Sequence, residues 1–255
     1  MDAASLFCLD GKVVLVTGAS SGLGVRFAEV AAANGAKVVL VARRIDRLEL
    51  VKARIVARGG QALAIPADVT DDAAMKTTLD TAERTFGTVD VFVANAGMVR
   101  RESSLEVTSD SWREVLDTNL DSVFRWSQEI ARRLIAARKP GSIITVSSVG
   151  GLRVPVRLAS YSVAKAALIQ ATKVLALNLG QYGIRVNSIA PGWIVTDLSQ
   201  DFLRGANKDA VRDALPLRRF GEPGDLDGAF LLLASEAGRL MTGSIVVVDA
   251  GALLT

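Results

Sequence analysis

Short apolar, β-branched runs alternate with longer amphipathic stretches along all 255 residues, and that alternation leaves few folds open. Residues 12–18 (KVVLVTG), 36–42 (AKVVLVA), 61–69 (QALAIPADV), 90–97 (DVFVANAG), 141–148 (GSIITVSS), 183–192 (GIRVNSIAPG) and 243–251 (GSIVVVDAG) read as seven strands. Most are apolar throughout rather than at every second position, the pattern of parallel strands covered on both faces. Helical stretches lie between them, near 22–34, 46–58, 71–86, 109–137, 158–181 and 223–235. Asn34-Gly35 offers the first helix a stop, and Asp71-Asp72 places acids at the start of the third. Strand–helix–strand repetition with right-handed crossovers gives a single α/β domain over 1–255. It is doubly wound, with about seven mainly parallel strands and helices on both faces.

Only 193–220 (WIVTDLSQDFLRGANKDAVRDALPLRRF) breaks the rhythm. It follows a strand, holds helical patches and supplies no sheet element. Long insertions of this kind act as lids, and this one is expected over the carboxyl ends of the strands, where open α/β sheets bind ligands.

Composition narrows the function classes. Half the residues are hydrophobic and 22% are charged, so a large core can be buried. Thirty basic residues against 27 acidic ones leave +3, too weak and dispersed to argue for nucleic acid. No apolar run approaches the ~18 residues of a membrane span. The opening MDAASLFCLDGK lacks the basic and apolar regions of a secretory signal. Cys8, the only cysteine, cannot form an internal disulfide and reads as a structural thiol. A soluble, cytoplasmic protein is expected, with neither a nucleic-acid nor a membrane partner.

The chain contains no histidine. That removes a Ser-His-Asp triad and most histidine-ligated metal sites, and no metal is expected. Proton transfer at neutral pH would need a retuned side chain of another type. Tyr161 and Lys165 in YSVAK are candidates, since residues four apart share a helix face. Ser147 and Ser148 end strand five, with Ser148 thirteen residues before Tyr161 across VGGLRVPVRLAS. Asn119 sits in DTNLDSVF, an otherwise core-like helical stretch, and a buried amide there needs partners.

TGASSGLG (17–24) lies between strand one and helix one, with Gly18, Gly22 and Gly24 spaced G-x3-G-x-G. Such glycines allow a tight turn and close backbone approach while the helix amino end faces a diphosphate, as in dinucleotide-binding (Rossmann) folds. Ser20 and Ser21 add donors; a ligand-free βα turn would use the same glycines. The tip of strand two carries Ala42-Arg43-Arg44, where selection of NAD calls for an acid. An arginine fork suits the 2′-phosphate of NADP, and solvated surface charge is the alternative. Asp46 lies past the tip and opens the next helix. Asp68-Val69 and Asn95-Ala96-Gly97 end strands three and four, where an adenine and a ribose would lie.

Taken in order, TG-x3-G-x-G, N-A-G, Asn119, Ser148 and Y-x-x-x-K resemble the short-chain dehydrogenases/reductases. PGWIVT (191–196) and TGSIVVVDAG (242–251) extend the resemblance over essentially the whole chain, closest to bacterial 3-oxoacyl-acyl-carrier-protein reductase-like ketoreductases. Ala94 departs from the usual N-N-A-G and Ala250 from the usual V-D-G-G. The resemblance implies an NADP (NADPH)-dependent oxidoreductase that interconverts a small-molecule ketone or other carbonyl and a secondary alcohol. Tyr161 would be the general acid/base and Ser148 would orient the substrate oxygen. Lys165 would lower the Tyr161 pKa and bond the ribose, and Asn119 would hold a relay water. Gly18, Ser20, Ser21, Gly22 and Gly24 would hold the diphosphate, and Thr196 with Pro191-Gly192 the carboxamide. Leu23 and Ile194 would complete the cofactor contacts.

The magnitudes agree: lowering a tyrosine by ~3 units takes ~4 kcal/mol. One ammonium at ~4 Å and an effective dielectric of ~20 supplies a similar amount. Open alternatives are a 3-oxoacyl-thioester reductase, a sugar dehydrogenase and an inactive NADP-binding regulatory protein; the intact Asn119, Ser148, Tyr161 and Lys165 argue against the last. Arg100, Arg101, Arg132, Arg133, Arg138 and Lys139 could face an acidic carrier protein or simply be solvated. A homotetramer is expected from the resemblance and from apolar residues around helices 109–137 and 158–181: Trp112, Val123, Trp126, Leu134, Leu168, Leu175 and Leu179.

Overall fold

The computed structural model describes residues 3–197, 199 and 208–255. Seven strands form one sheet: β1 (Val13–Thr17), β2 (Lys37–Ala42), β3 (Gln61–Pro66), β4 (Val91–Ala94), β5 (Gly141–Val146), β6 (Ile184–Pro191) and β7 (Ile245–Val248). Their order is β3-β2-β1-β4-β5-β6-β7. Every neighbouring pair is parallel. β1 and β4 are buried at every position, which explains their unbroken apolar sequence, whereas edge strands β3 and β7 are only half buried.

Besides a single amino-terminal turn, Ala3–Leu6, the helices are α1 (Gly22–Ala33), α2 (Ile45–Ala57), α3 (Asp72–Phe86), α4 (Ser109–Leu116), α5 (Ser122–Ala136), α6 (Ala159–Leu179), α7 (Lys208–Ala214) and α8 (Asp227–Ala234). They cover both faces, because successive residues of each strand point to opposite sides. Val14 and Val16 pack with Phe27, Leu48 and Phe230 on one face. Val13 and Leu15 pack with Leu79, Trp126, Ile130 and Leu168 on the other. The Phe92 and Trp126 rings lie 6.0 Å apart in that second core. Truncating a buried Trp of this kind costs about 3–5 kcal/mol. Both helix signals hold: the Asp71 carboxylate accepts from the amides of Ala73 and Ala74, and Asn34-Gly35 ends α1 with Gly35 at φ +91.

The structure corrects three expectations. The stretches 61–69, 90–97 and 243–251 form ladder only over Gln61–Pro66, Val91–Ala94 and Ile245–Val248, because their carboxyl-terminal residues turn away into loops. The stretch 109–137 is two helices joined by a π-helical turn, Asp117–Asp121, that centres on the fully buried Asn119. Val123, Trp126, Leu134, Leu168 and Leu175 are buried, mostly against the sheet, rather than forming an outward apolar surplus. Of the six basic residues whose role the sequence leaves open, Arg100 pairs with Glu114, Arg132 with Glu129, and Arg133 with Asp80, Glu83 and Glu129.

In the 193–220 segment, Val195 N–H donates to Gly221 O and Gly221 N–H to Trp193 O, both at 2.8 Å, which brings its ends together. Its residues 198 and 200–207 lie outside the described ones. No helix among the described residues is long and apolar enough to cross a membrane.

Candidate active site

Strand order reverses between β1 and β4, and open α/β sheets present a crevice at such a point. Thr17, buried at the end of β1, ties its two sides together. Its Oγ1 accepts from the amides of Asn95 (3.1 Å) and Ala96 (3.2 Å) and donates to Val93 O (3.3 Å). Asn95 Nδ2 returns a bond to Thr17 O at 3.0 Å. Sequence reasoning passed over Thr17, although a hydroxyl ending an otherwise aliphatic strand was the available signal.

The turn that follows depends on contact as much as on conformation. Gly18 has φ +68, and a Cβ there would stand 2.8 Å from Asn95 Nδ2; one on Gly24 would stand 2.2 Å from Gly18 O. Ser21 occupies the N-cap of α1 without a side-chain cap bond, so side chains leave the helix's first amides open. Gly22 lies beneath Thr196, whose Cβ would be 3.3 Å from an added Cβ. Leu23 packs its side chain on the core, so any part it takes in the turn is through its main chain.

Arg43 and Arg44 are exposed at the tip of β2, and Arg44 Nη2 donates to Ser20 Oγ at 3.1 Å. Ala42 is buried, and Asp46 lies in the first turn of α2 as expected. The Thr70 amide and hydroxyl donate to the Asp68 carboxylate at 3.0 and 2.7 Å. The amide bond above all holds that carboxyl below its ordinary range, against burial; the Thr70 hydroxyl and Arg43 assist. Val69 O accepts from Trp126 Nε1 at 3.0 Å.

On the far side of the crevice the π turn aims Asn119 at the segment after β4. Its Oδ1 accepts from Met98 N and its Nδ2 donates to Met98 O, both at 2.8 Å. A Cβ on Gly97 would stand 3.1 Å from Asn119 Oδ1 and 3.7 Å from Lys165 Nζ, so these three residues are immediate neighbours. The turn after β5 carries Ser148, whose Oγ accepts from Gly150 N at 3.0 Å; a Cβ on Gly150 would stand 3.3 Å from that Oγ and 3.5 Å from Tyr161 Cε1, so the two side chains are neighbours. Lys165 is 5% exposed; its Nζ donates to Val146 O at 2.8 Å and lies 5.7 Å from the Tyr161 ring centroid.

Burial pushes the Tyr161 hydroxyl pKa up, and the neighbouring Ser148 hydroxyl only partly opposes it. Lys165 is not among the influences that set this direction. Burial also pulls the Lys165 ammonium down to about 8, and its Nζ is held by Val146 O, 5.7 Å from the Tyr161 ring centroid.

The remaining candidates close the site at the end of β6. Pro191 ends that strand, and Gly192 N donates to Val248 O at 2.9 Å. A Cβ on Gly192 would stand 2.6 Å from Asp249 Cα, so only glycine fits. Ile194 is buried, and Thr196 N donates to Ser199 Oγ at 2.9 Å. The fold thus gathers the glycine turn, Asn95–Gly97, Asn119, Ser148, Tyr161, Lys165 and 191–196 at one edge of the sheet, flanked by Arg43-Arg44 and Asp68-Val69.

Residues 18–252 match a family model described as enoyl-(acyl carrier protein) reductase, of the short-chain alcohol-dehydrogenase type. The chain is 37% identical over 252 residues to the 3-oxoacyl-[acyl-carrier-protein] reductase of Synechocystis, covering 96% of this chain and 98% of that one. The chain belongs to the short-chain dehydrogenase/reductase family. A solved short-chain dehydrogenase/reductase from Mycobacterium marinum superposes with TM-score 0.95 at 37% identity over 100% of both chains. A gluconate 5-dehydrogenase from Burkholderia cenocepacia, solved with NADP and tartrate, does so with TM-score 0.95 at 31% identity, also over 100% of both. As a short-chain dehydrogenase/reductase, this protein is an oxidoreductase acting on CH–OH and C=O groups.

Proposed function

We propose that the chain is an NADP-dependent ketoreductase in which Tyr161 donates the proton to the carbonyl oxygen being reduced. The observation that carries this is the meeting of Ser148 and Tyr161 around Gly150, where an added Cβ would stand 3.3 Å from Ser148 Oγ and 3.5 Å from Tyr161 Cε1, with Lys165 Nζ 5.7 Å from the Tyr161 ring centroid. A tyrosine whose pKa is raised by burial stays protonated at neutral pH, the state a general acid needs. Ser148 orients the oxygen, and the Lys165 charge stabilises the phenolate left after the proton has gone. Met98 takes one acceptor site and one donor of the Asn119 amide and so fixes the side chain where a relay water would meet it.

The residues present fit a dinucleotide. The amino end of α1 has no side-chain cap and faces the turn of Gly18, Ser20, Ser21, Gly22, Leu23 and Gly24, as a diphosphate requires. Arg43, Arg44 and Ser20 suit a 2′-phosphate, and no acid stands at the tip of β2 to repel it. Asp68 and Val69 would flank the adenine, Asn95, Ala96 and Gly97 the ribose, and Lys165 the second ribose. Pro191, Gly192, Ile194 and Thr196 would hold the carboxamide. When bound, the cofactor supplies the hydride; this chain supplies the proton and the geometry.

The enzyme works in the cytoplasm on a small carbonyl compound, as one domain with 193–220 as its lid, and assembles as a homotetramer. Support for assembly comes from a groove of about 980 Å³ between α4 and α6, lined by Trp112, Leu116, Leu152, Val154 and Val163. Val174 and Leu177 are exposed farther along α6. The test is NADPH consumption over a panel of acyl thioesters, simple ketones and sugars. Protein that binds NADPH and turns over none of them would overturn the proposal.

A further inference from the structure

We propose that Arg153 recognises a carboxylate on the substrate, so that the carbonyl compounds this enzyme prefers are oxo acids rather than neutral ketones. The inference deepens the ketoreductase reading and rests on it.

Arg153 lies in the loop between Ser148 and Tyr161. Its amide donates to Val149 O at 2.8 Å, closing a turn around Gly150. That turn touches the reacting groups: a Cβ on Gly150 would stand 3.3 Å from Ser148 Oγ and 3.5 Å from Tyr161 Cε1. The neighbours Leu152 and Val154 line the outer groove beside Trp112. The Arg153 side chain takes another course, and its Nη1 donates to Ala252 O at 3.1 Å, in the turn after β7. This turn abuts the end of β6, because Asp249 Cα lies 2.6 Å from where a Gly192 Cβ would be. The guanidinium therefore spans from the loop carrying Ser148 to the segment carrying Pro191-Gly192. On this proposal the substrate presented to Tyr161 lies between the two, against the exposed face of the Arg153 fork.

The charge at this position is unspent. A guanidinium has five N–H donors, and the one hydrogen bond Arg153 makes goes to a neutral carbonyl. Arg153 takes part in no ion pair among the described residues. Other arginines nearby do: Arg157 with Glu106 at 2.9 Å, Arg100 with Glu114 at 2.8 Å, and Arg219 with Asp225 at 2.7 Å. Asp249, on the turn Arg153 reaches, is engaged by the amides of Gly251 (2.8 Å) and Leu253 (2.9 Å). A guanidinium fork matches a carboxylate in a bidentate pair, and a single unpaired fork balances a single negative charge. A monoanionic carboxylate fits better than a phosphate dianion.

The test compares 3-oxobutanoate, 4-oxopentanoate and 5-oxohexanoate with their methyl esters, followed by NADPH consumption in the wild type, Arg153→Gln and Arg153→Lys. At least one acid should exceed its ester by ~10- to 100-fold in kcat/KM, the range of one or two charge-assisted hydrogen bonds. Arg153→Gln should collapse that ratio through the KM of the acid while the ester and NADPH affinity are little changed, and Arg153→Lys should restore part of it. Equal losses on acid and ester would make Arg153 only a tether to Ala252 and overturn the inference. So would a wild type that reduces the esters at least as well as the acids. An enzyme that reduces neither these compounds nor the broader panel would overturn the ketoreductase reading and this inference with it.

Discussion

Lys165 Nζ stands 5.7 Å from the centroid of the Tyr161 ring and is fixed there by a 2.8 Å bond to Val146 O. The amine is thus positioned by the scaffold, whether or not the tyrosine is ionised. Replacing Tyr161 with Phe removes only the ionisable oxygen. Turnover should fall ~10²–10⁴-fold, the usual worth of a general acid. NADPH binding, followed by nucleotide fluorescence, should persist. A Phe variant that keeps more than about a tenth of the wild-type rate would remove Tyr161 from the proton-donor role.

The Lys165 pKa of about 8 sets a pH dependence for rate. Its charge is lost as pH rises through that value, so ketone reduction should decline there. A rate that stays level across this range would mean the charge does not assist. Stability moves the other way. The folded pKa lies below the ordinary 10.5, so the folded protein releases this proton first. Stability should therefore rise between about 8 and 10.5, by on the order of 3 kcal/mol from this group. Urea unfolding of wild type and Lys165→Met at the two ends of that window isolates the effect, since only the wild type can gain it.

Arg44 donates to Ser20 across the mouth of the glycine turn, with Arg43 beside it and no carboxylate at the strand tip. NADPH should outperform NADH by ~10- to 100-fold in kcat/KM. Arg43→Gln combined with Arg44→Gln should bring the two cofactors close to parity by weakening NADPH alone. Steady-state kinetics with both nucleotides decide the matter, and equal efficiency in the unmodified enzyme would reduce the pair to surface charge.

Asn119→Ala would strip the Met98 amide and carbonyl of their partners in one step. Leaving buried polar groups unsatisfied costs about 1–3 kcal/mol each, and because Met98 is only partly buried a loss of about 1–3 kcal/mol in total is expected in urea unfolding. A change within experimental scatter would show that solvent replaces the amide without cost.

Light scattering at micromolar concentration should give a particle of four 26.9 kDa chains. Trp112→Glu, which places a charge in the groove beside α6, should shift the population toward smaller species. A monomer in the unmodified protein would sink the assembly.

Periodicity located the strands because burial on both faces leaves a continuous apolar run. It overran their carboxyl ends because Asn95–Gly97 and Asp68-Val69 leave the ladder beside the crevice, a change no hydropathy pattern marks. The 109–137 stretch read as one helix because a π turn inserts one residue and leaves the apolar face nearly in phase; the polar Asn119 was its only trace. Asn119, Ser148, Tyr161 and Lys165 were legible as a spaced set. Thr17 and Arg153 were not, since their partners Asn95 and Ala252 lie 78 and 99 residues away in the chain. Distance hid the compensation of Arg133 in the same way, because Glu83 stands 50 residues from it.

The link among Thr17, Gly18, Gly24 and Asn95 joins the two halves of the sheet where their windings diverge, using neutral hydrogen bonds and backbone contact alone. None of these groups titrates near neutral pH or has a side chain long enough to swing aside. The floor of the crevice therefore behaves as a keystone, indifferent to acidity and to whichever substrate arrives. New specificities can be written into the loops above it, Arg153 among them, without reopening the joint below.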